Sequence, residues 1–205
     1  MRRRHTSKGL TSERRYDAAK ATARELPAAR ILAGRFWHQC SPSRGLLDVA
    51  DPAVTSGRYH QGGGGGVWYA SSSETGAWAE LFRHQEPSGI SHLEIRRLIG
   101  KVRVRNLKVL DLTDSRVRES WGVSEQDLTA DDLTMCQALA EEARRAGYDG
   151  ILAPSAALVG QTTLAVFASA IGKLREEVSR ISHAPARMHK FSGGLRPVHR
   201  SRSSN

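Results

Sequence analysis

Several residue types in this chain could carry out chemistry, but the familiar arrangements of them are absent. Five consecutive glycines at positions 62–66 could cradle a phosphate. No Lys-Ser or Lys-Thr pair follows them and position 67 is Val, so neither a P-loop nor a dinucleotide-binding turn is indicated. No serine lies in the Gly-x-Ser-x-Gly motif of hydrolases. The potential metal ligands do not have the spacing of a closed zinc site, so no metal is expected: His38, Cys40, His60, His84 and His92.

One segment, 56–81, contains a more suggestive set of side chains. It reads SGRYHQGGGGGVWYASSSETGAWAEL and holds Arg58, Tyr69 and Glu80, with eleven residues from each to the next. Taken singly, Arg58 is typical of a solvated charge in a turn and Tyr69 of a packing residue at a strand end. At 100° per residue Glu80 points away from the apolar stripe of its helix, as an exposed glutamate does. Only the three residues together, in this order, indicate a functional site.

This segment resembles the RES domain, a family named for its conserved arginine, glutamate and serine. Gly57–His60 matches the family's Gly-Arg-aromatic-Asn turn, although His60 stands where the family usually has asparagine. Val67–Ser71 matches its Tyr-x-Ser strand end, and Ala77–Glu80 matches its Ala-x-x-Glu-like helix. The resemblance is therefore carried by three short motifs in the family's order.

Further motifs downstream extend the resemblance over about residues 34–170. Val109–Leu112 looks like the family's Leu-Asp-Leu strand, and Cys136–Ala138 like the start of a helix that follows it. Tyr148–Ala156 is similar to the segment that delivers the family's serine, here Ser155. Thr163 precedes an apolar strand at the place where the family often has asparagine.

The resemblance implies an enzyme that consumes NAD⁺ by breaking its nicotinamide–ribose bond, through hydrolysis or phosphorolysis. It implies Glu80, Arg58 and Tyr69 as catalytic residues. Glu80 would stabilise an oxocarbenium-like transition state, Arg58 would hold a pyrophosphate or an incoming phosphate, and Tyr69 would orient the substrate. The implied substrate-binding residues are these: Arg58, Tyr69, Ser155, Tyr59 and His60. NAD⁺ is expected as the substrate, with no metal.

Hydrophobic periodicity predicts the elements that must position these residues. Strands are predicted at 31–40, 67–70, 92–98, 101–112, 148–153 and 162–168. One helix is predicted to begin with a Ser71–Glu74 capping box and to run to Arg83, and another from Asp132 to a stop at Gly147. Adjacent strands without helical crossovers favour an α+β fold, with a mostly antiparallel sheet core and flanking helices. The family resemblance further implies similarity to the ADP-ribosyltransferase fold.

The net charge of +10 is concentrated at the two ends of the chain. Residues 1–30 and 173–205 each carry a net charge of +6, whereas residues 31–172 carry −2. We therefore predict a basic N-terminal extension at 1–30, a RES-like NAD⁺-consuming domain at 31–180, and a basic, disordered tail at 181–205. Because a nucleic-acid binder usually carries its positive charge on the folded face, weak, non-specific contact through the tails is the most that this charge indicates.

Three functions are compatible with the sequence. The first is a toxin that depletes NAD⁺ and is neutralised by a cognate antitoxin. The second is an ADP-ribosyltransferase that modifies a macromolecule, and the third is a non-enzymatic, basic nucleic-acid-associated protein. Two distant cysteines without a Cys-x-x-Cys motif favour a location in the reducing cytoplasm. The sequence contains no apolar stretch of about 18 residues, so no membrane span is predicted. Assembly as a homo-oligomer is left open.

Overall fold

A computed structural model describes residues 29–49, 56–85 and 94–185 of the chain. Its strands are β1 (Arg30–Cys40), β2 (Val67–Ser71), β3 (Arg96–Asp111), β4 (Gly150–Pro154), β5 (Thr162–Phe167) and β6 (Leu174–His183). Its helices are α1 (Glu74–Gln85), α2 (Ser115–Ser120), α3 (Glu125–Thr129) and α4 (Thr134–Arg145), with a 3₁₀ helix at Ala168–Lys173. The α+β prediction is confirmed, because a single sheet carries a few helices.

The sheet closes on itself, which the sequence analysis did not predict. The strand order is β1-β2-β5-β4-β3-β6, and β1 also pairs with β3, so that β1, β2, β5, β4 and β3 form a five-stranded barrel. All neighbouring pairs are antiparallel except β3 and β4, which run parallel. The predicted mostly antiparallel pairing is therefore observed, with one parallel pair, but the sheet is a closed barrel rather than the expected open sheet.

Each of the two long strands, β1 and β3, has an unusual feature. The register of β1 against β3 shifts between Leu32 and Gly34, and an irregularity of this kind bends a strand. β3 runs as one strand through Gly100, so the prediction of two separate strands was wrong. A Cβ on Gly100 would lie 2.5 Å from a side-chain carbon of Leu46 and 2.6 Å from the carbonyl oxygen of Val178. The glycine allows a close approach rather than ending the strand.

Alternate residues of the central strands lie in two different hydrophobic clusters. Trp68 and Ala70 of β2 belong to a cluster with members from all five barrel strands, which is the barrel interior. Val67 of β2 and Phe167 of β5 belong to a second cluster, between the sheet and α4. Burial on both faces explains why β5 reads as an almost continuous apolar run, and β5 lies centrally as predicted.

The helix boundaries confirm one prediction and correct another. α4 ends before Gly147, whose φ of +75° is suited to a helix stop. α1 does not begin with the predicted Ser71–Glu74 capping box. Ser71 is the last residue of β2, and the hydroxyl of Ser73 instead accepts a hydrogen bond from the Gly76 N–H at 3.0 Å. Any of the three consecutive serines could have capped the helix. Because Ser71 is part of the strand, Ser73 makes the capping contact instead.

β6 was not predicted, because its sequence LREEVSRISH has no clear apolar alternation. It pairs with the first half of β3 and is largely exposed. The strand ends at His183, and most of the predicted C-terminal tail and of the N-terminal extension lies outside the described residues. Within the described part of the chain, no helix has the length and apolar character to cross a membrane.

Candidate active site

A cavity of about 460 Å³ lies where β1, β2 and α1 meet the turn at residues 57–60. Four predicted site residues line it together with Glu80, namely Arg58, Tyr59, His60 and Tyr69. Among the described residues that line the cavity, Arg58 is the only Arg or Lys and Glu80 is the only Asp or Glu. The structure therefore brings these five predicted residues together. Ser155 does not line the cavity and lies behind Glu80.

Glu80 is held on the cavity wall through one of its two carboxylate oxygens. Oε1 accepts hydrogen bonds from the hydroxyls of Ser155 and Thr163, each at 3.0 Å. Oε2 has no hydrogen-bond partner among the described residues. Helix α1 buries Ala79 and Leu81 on either side of Glu80, so the carboxylate is directed at the cavity while its neighbours pack. One oxygen is fixed and the other is free to meet a ligand.

Ser155 is fully buried and its hydroxyl is saturated by protein groups. Besides donating to Glu80, the Oγ atom accepts from the backbone N–H groups of Ala157 and Leu158, each at 3.1 Å. The family resemblance implies contact of this serine with the substrate. In this geometry its hydroxyl donates to Glu80 and accepts from two backbone N–H groups, which is the arrangement of a residue that positions the carboxylate.

Thr163 is a site residue that sequence reasoning noted only as a departure from the family pattern. It lies on β5, where its side chain is largely buried and its hydroxyl donates to Glu80. A threonine hydroxyl can supply the one donor that this place requires. Its position just before an apolar central strand was the signal that could have identified it.

Arg58 is fixed by the main chain of a neighbouring segment. Its Nη1 atom donates to the carbonyl oxygens of Leu128 at 3.0 Å and Ala130 at 2.8 Å, at the end of α3. Nε and Nη2 have no hydrogen-bond partner among the described residues. A guanidinium carries five N–H groups, so three remain for an anionic ligand.

Tyr69 ties the turn that carries Arg58 to β2. Its phenolic oxygen accepts a hydrogen bond from the Tyr59 N–H at 2.9 Å and lies 3.0 Å from Nδ1 of His60. Burial raises the pKa of Tyr69, so its hydroxyl stays protonated at neutral pH. A Cβ on Gly57 would come within 3.0 Å of this oxygen, which explains the glycine that precedes Arg58.

Tyr59 and His60 are more deeply buried than a direct ligand contact requires. Tyr59 is fully buried in the cluster beneath α4, and its phenolic oxygen has no hydrogen-bond partner among the described residues. His60 is 6% exposed, and burial lowers its pKa, which keeps the ring neutral. Gln137 of α4, which sequence reasoning did not include in the site, donates to the carbonyl oxygens of Gly57 and His60 at 3.0 and 3.3 Å. Gln137 thereby anchors the turn.

The cysteines and histidines do not form a metal site in the part of the chain that the structure describes. There, no three His, Cys, Asp or Glu side chains converge on a point that could hold an ion. Cys40 and Cys136 are both buried free thiols. His92 and the side chain of His84 lie outside the described residues.

The chain is similar to known proteins in sequence and in fold. The sequence model of the RES domain matches residues 27–189. A Mycobacterium tuberculosis (strain ATCC 25618 / H37Rv) protein named "Probable NAD(+) phosphorylase Rv3189" is 48% identical over 168 residues, which are 82% of this chain and 81% of that protein. "NAD(+) phosphorylase MbcT" of Mycobacterium bovis (strain ATCC BAA-935 / AF2122/97) is 37% identical over 68 residues, 33% of this chain and 37% of that protein.

A similar fold is found in a crystal structure of the M. tuberculosis MbcT–MbcA toxin–antitoxin complex. The TM-score is 0.67 at 23% sequence identity, and the match covers 84% of this chain and 92% of that one. At this identity the likeness concerns the fold. The family assignment rests on the domain match and on the 48% identical relative. This chain belongs to the RES-domain family.

Proposed function

We propose that this chain is an NAD⁺-consuming enzyme that breaks the bond between nicotinamide and ribose, and that phosphate is the nucleophile. The observation that carries the proposal is Glu80, held at the cavity wall through Oε1 while Oε2 has no hydrogen-bond partner in the described part of the chain. One relative is named an NAD⁺ phosphorylase and another a probable NAD⁺ phosphorylase, which supports the choice of phosphate over water.

Glu80 suits the departure of nicotinamide from C1 of the ribose. As that bond breaks, positive charge develops on the sugar ring in an oxocarbenium-like transition state. A carboxylate fixed by two hydroxyl donors can hold a ribose hydroxyl through its free oxygen and stabilise the developing cation. Because Ser155 and Thr163 hold the carboxylate beforehand, it does not need to reorient during the reaction.

Arg58 suits the anionic groups of the reaction. Its Nε and Nη2 donors, which have no partner within the described ranges, can form a bidentate pair with phosphate oxygens, either of the pyrophosphate of NAD⁺ or of an incoming phosphate. In phosphorolysis a phosphate oxygen forms a bond to C1 of the ribose as the bond to nicotinamide breaks. The electron pair of that bond stays on the leaving nicotinamide, which becomes neutral, and the other product is ADP-ribose 1-phosphate.

The proposal includes a protein partner, an antitoxin that blocks the cavity. The solved structure with a similar fold belongs to a toxin–antitoxin complex, and this motivates the expectation. Similarity to the ADP-ribosyltransferase fold is part of the same proposal, because both groups of enzymes would open the same bond of NAD⁺. A cytoplasmic location stays a prediction, with which the two free, buried thiols are consistent. Self-assembly and contact of the tails with nucleic acid also stay predictions.

Incubation of the purified chain with NAD⁺, with and without phosphate, tests this function. We expect nicotinamide release that accelerates with phosphate concentration, together with a phosphorylated sugar product detected by phosphorus NMR. Release at the same rate without phosphate, with free ADP-ribose as the product, would replace phosphorolysis by hydrolysis. A radiolabelled macromolecule would favour ADP-ribosyl transfer. A chain cut to residues 27–189 is expected to keep the activity, and its failure to turn over NAD⁺ while folded would contradict the proposal.

A further inference from the structure

His38 of β1 lines the same cavity as Arg58 and Glu80. Its Nδ1 atom lies 2.6 Å from the backbone carbonyl oxygen of Tyr69. A carbonyl oxygen can only accept a hydrogen bond, so Nδ1 carries the proton. The ring also packs 4.9 Å from the ring of Trp68, which limits its rotation. The orientation and the tautomer of His38 are thus both fixed.

The opposite ring nitrogen of His38 is an acceptor that the protein leaves open. With Nδ1 protonated in a neutral ring, Nε2 carries a lone pair. Nε2 has no hydrogen-bond partner among the described residues. It is also not one of their polar atoms that are both buried and without a hydrogen-bond partner. Nε2 therefore reaches solvent, and because His38 lines the cavity, the cavity is where a ligand would meet it.

The ring is uncharged at neutral pH. Burial lowers the pKa of His38 to about 4, with smaller contributions in the same direction from Arg97 and Arg44, and these outweigh the bond to the Tyr69 carbonyl. The nicotinamide ring of NAD⁺ carries a positive charge, which an imidazolium would repel and a neutral imidazole would not. A neutral acceptor suits the nicotinamide end of this substrate.

Tyr69 lies between His38 and the turn that carries Arg58. It contacts His38 through its main-chain carbonyl and reaches the turn through its phenolic oxygen, at the far end of the side chain. The turn that carries Arg58 and the neutral acceptor of His38 are therefore at separate ends of Tyr69. This matches a dinucleotide substrate, whose phosphates and cationic nicotinamide ring need opposite electrostatic surroundings.

We propose that His38 is a substrate-binding residue whose Nε2 accepts a hydrogen bond from the nicotinamide riboside half of NAD⁺. The donor is the carboxamide N–H or a ribose hydroxyl, since these are the donors that this half of the molecule offers. The inference rests on the proposed NAD⁺ activity and adds a contact that fixes which end of the substrate faces β1.

Two substitutions separate the two nitrogens of the ring. In His38→Asn, the side-chain amide can still donate to the Tyr69 carbonyl but does not reach the position of Nε2. In His38→Gln, the longer side chain can place an acceptor near that position while losing the bond to Tyr69. We expect His38→Asn to weaken NAD⁺ binding about tenfold, the usual effect of losing one neutral hydrogen bond, and His38→Gln to weaken it less.

Dissociation constants are measured by calorimetry in a Glu80→Gln background to prevent turnover, and KM is measured with Glu80 present. The acetylpyridine analogue of NAD⁺, in which a methyl ketone replaces the carboxamide, identifies the donor. If the carboxamide donates, His38→Asn weakens NAD⁺ binding but not binding of the analogue. If a ribose hydroxyl donates, both are weakened equally. Either result supports the proposal.

Unchanged binding of both ligands by a folded His38→Asn variant would overturn it. So would weaker binding by His38→Gln than by His38→Asn, because the bond to Tyr69 rather than Nε2 would then be the important one. In both cases, NAD⁺ turnover by the unmodified chain shows that the proposed function stands and that only the role of His38 fails. A chain that neither binds nor consumes NAD⁺ overturns both.

Discussion

Glu80 and Arg58, which both line the cavity, are held in place by different kinds of groups. Glu80 is held by two side-chain hydroxyls that come from the β4–β5 region, whereas Arg58 is held by two main-chain carbonyls at the end of α3. In both cases one part of the charged group is fixed and another part remains open. The difference is that the support of Glu80 can be removed one hydroxyl at a time, while Arg58 is itself a support for the segment that holds it.

This difference predicts that Arg58 couples activity to stability. In Arg58→Ala the carbonyls of Leu128 and Ala130 lose their donor, which we expect to cost about 2–3 kcal/mol of unfolding free energy. The same change removes the phosphate contact and should lower kcat/KM for NAD⁺ about 10²–10³-fold. Urea unfolding and nicotinamide release measure the two effects. Arg58→Lys keeps the charge but cannot serve carbonyls and phosphate together, so it should also be impaired.

A stable Arg58→Ala variant with low activity would contradict the claim that Arg58 couples activity to stability, since Arg58 would then act on the substrate alone. An unstable variant with normal kcat/KM would also contradict this claim, because Arg58 would then be only a structural residue.

The hydroxyls behind Glu80 are expected to have smaller effects, and the two should differ from each other. Thr163→Val removes one donor to Glu80 at nearly constant volume, so kcat should fall about tenfold with less than about 1 kcal/mol of stability lost. Ser155→Ala should lower kcat similarly but cost about 1–3 kcal/mol, because two buried backbone N–H groups lose their acceptor.

Steady-state kinetics and urea unfolding distinguish these two outcomes. KM should change little in Ser155→Ala, because Ser155 is fully buried and does not line the cavity. Thr163 lines the cavity, so Thr163→Val can also change KM, and Thr163→Ser should retain kcat since it keeps the donor. A Thr163→Val variant with normal kcat, or a fall in kcat that Thr163→Ser does not prevent, would mean that the hydroxyl does not position Glu80.

The sequence contained enough information for the parts of the site that are close together in the chain. Arg58, Tyr69 and Glu80 lie within one segment in the order of a family motif, and the structure places all three on one cavity. The support of Glu80 could not be predicted in the same way, because Ser155 and Thr163 are 75 and 83 residues away from it. Which atoms they contact depends on how β4 and β5 pack against α1.

The fold shows the same limit. Apolar periodicity found β1, β2, β4, β5 and both long helices, because burial of one or both faces leaves a local pattern. Barrel closure depends on pairing of β1 with β3, which is a long-range contact without a local signature. β6 is bonded to β3 along its length but buries little side-chain surface, so its residues carry no alternation from which it could be predicted.

The most direct test of the account is nicotinamide release by Glu80→Gln. The amide keeps an oxygen that can accept from Ser155 and Thr163, so we expect a folded protein whose thermal midpoint is close to that of the unmodified chain. Loss of the negative charge should lower kcat about 10³-fold or more, as expected for a group that stabilises the developing cation. Glu119→Gln, an exposed glutamate of α2, is the matched control and should release nicotinamide at the normal rate. Normal release by a folded Glu80→Gln protein would contradict the assignment of this site.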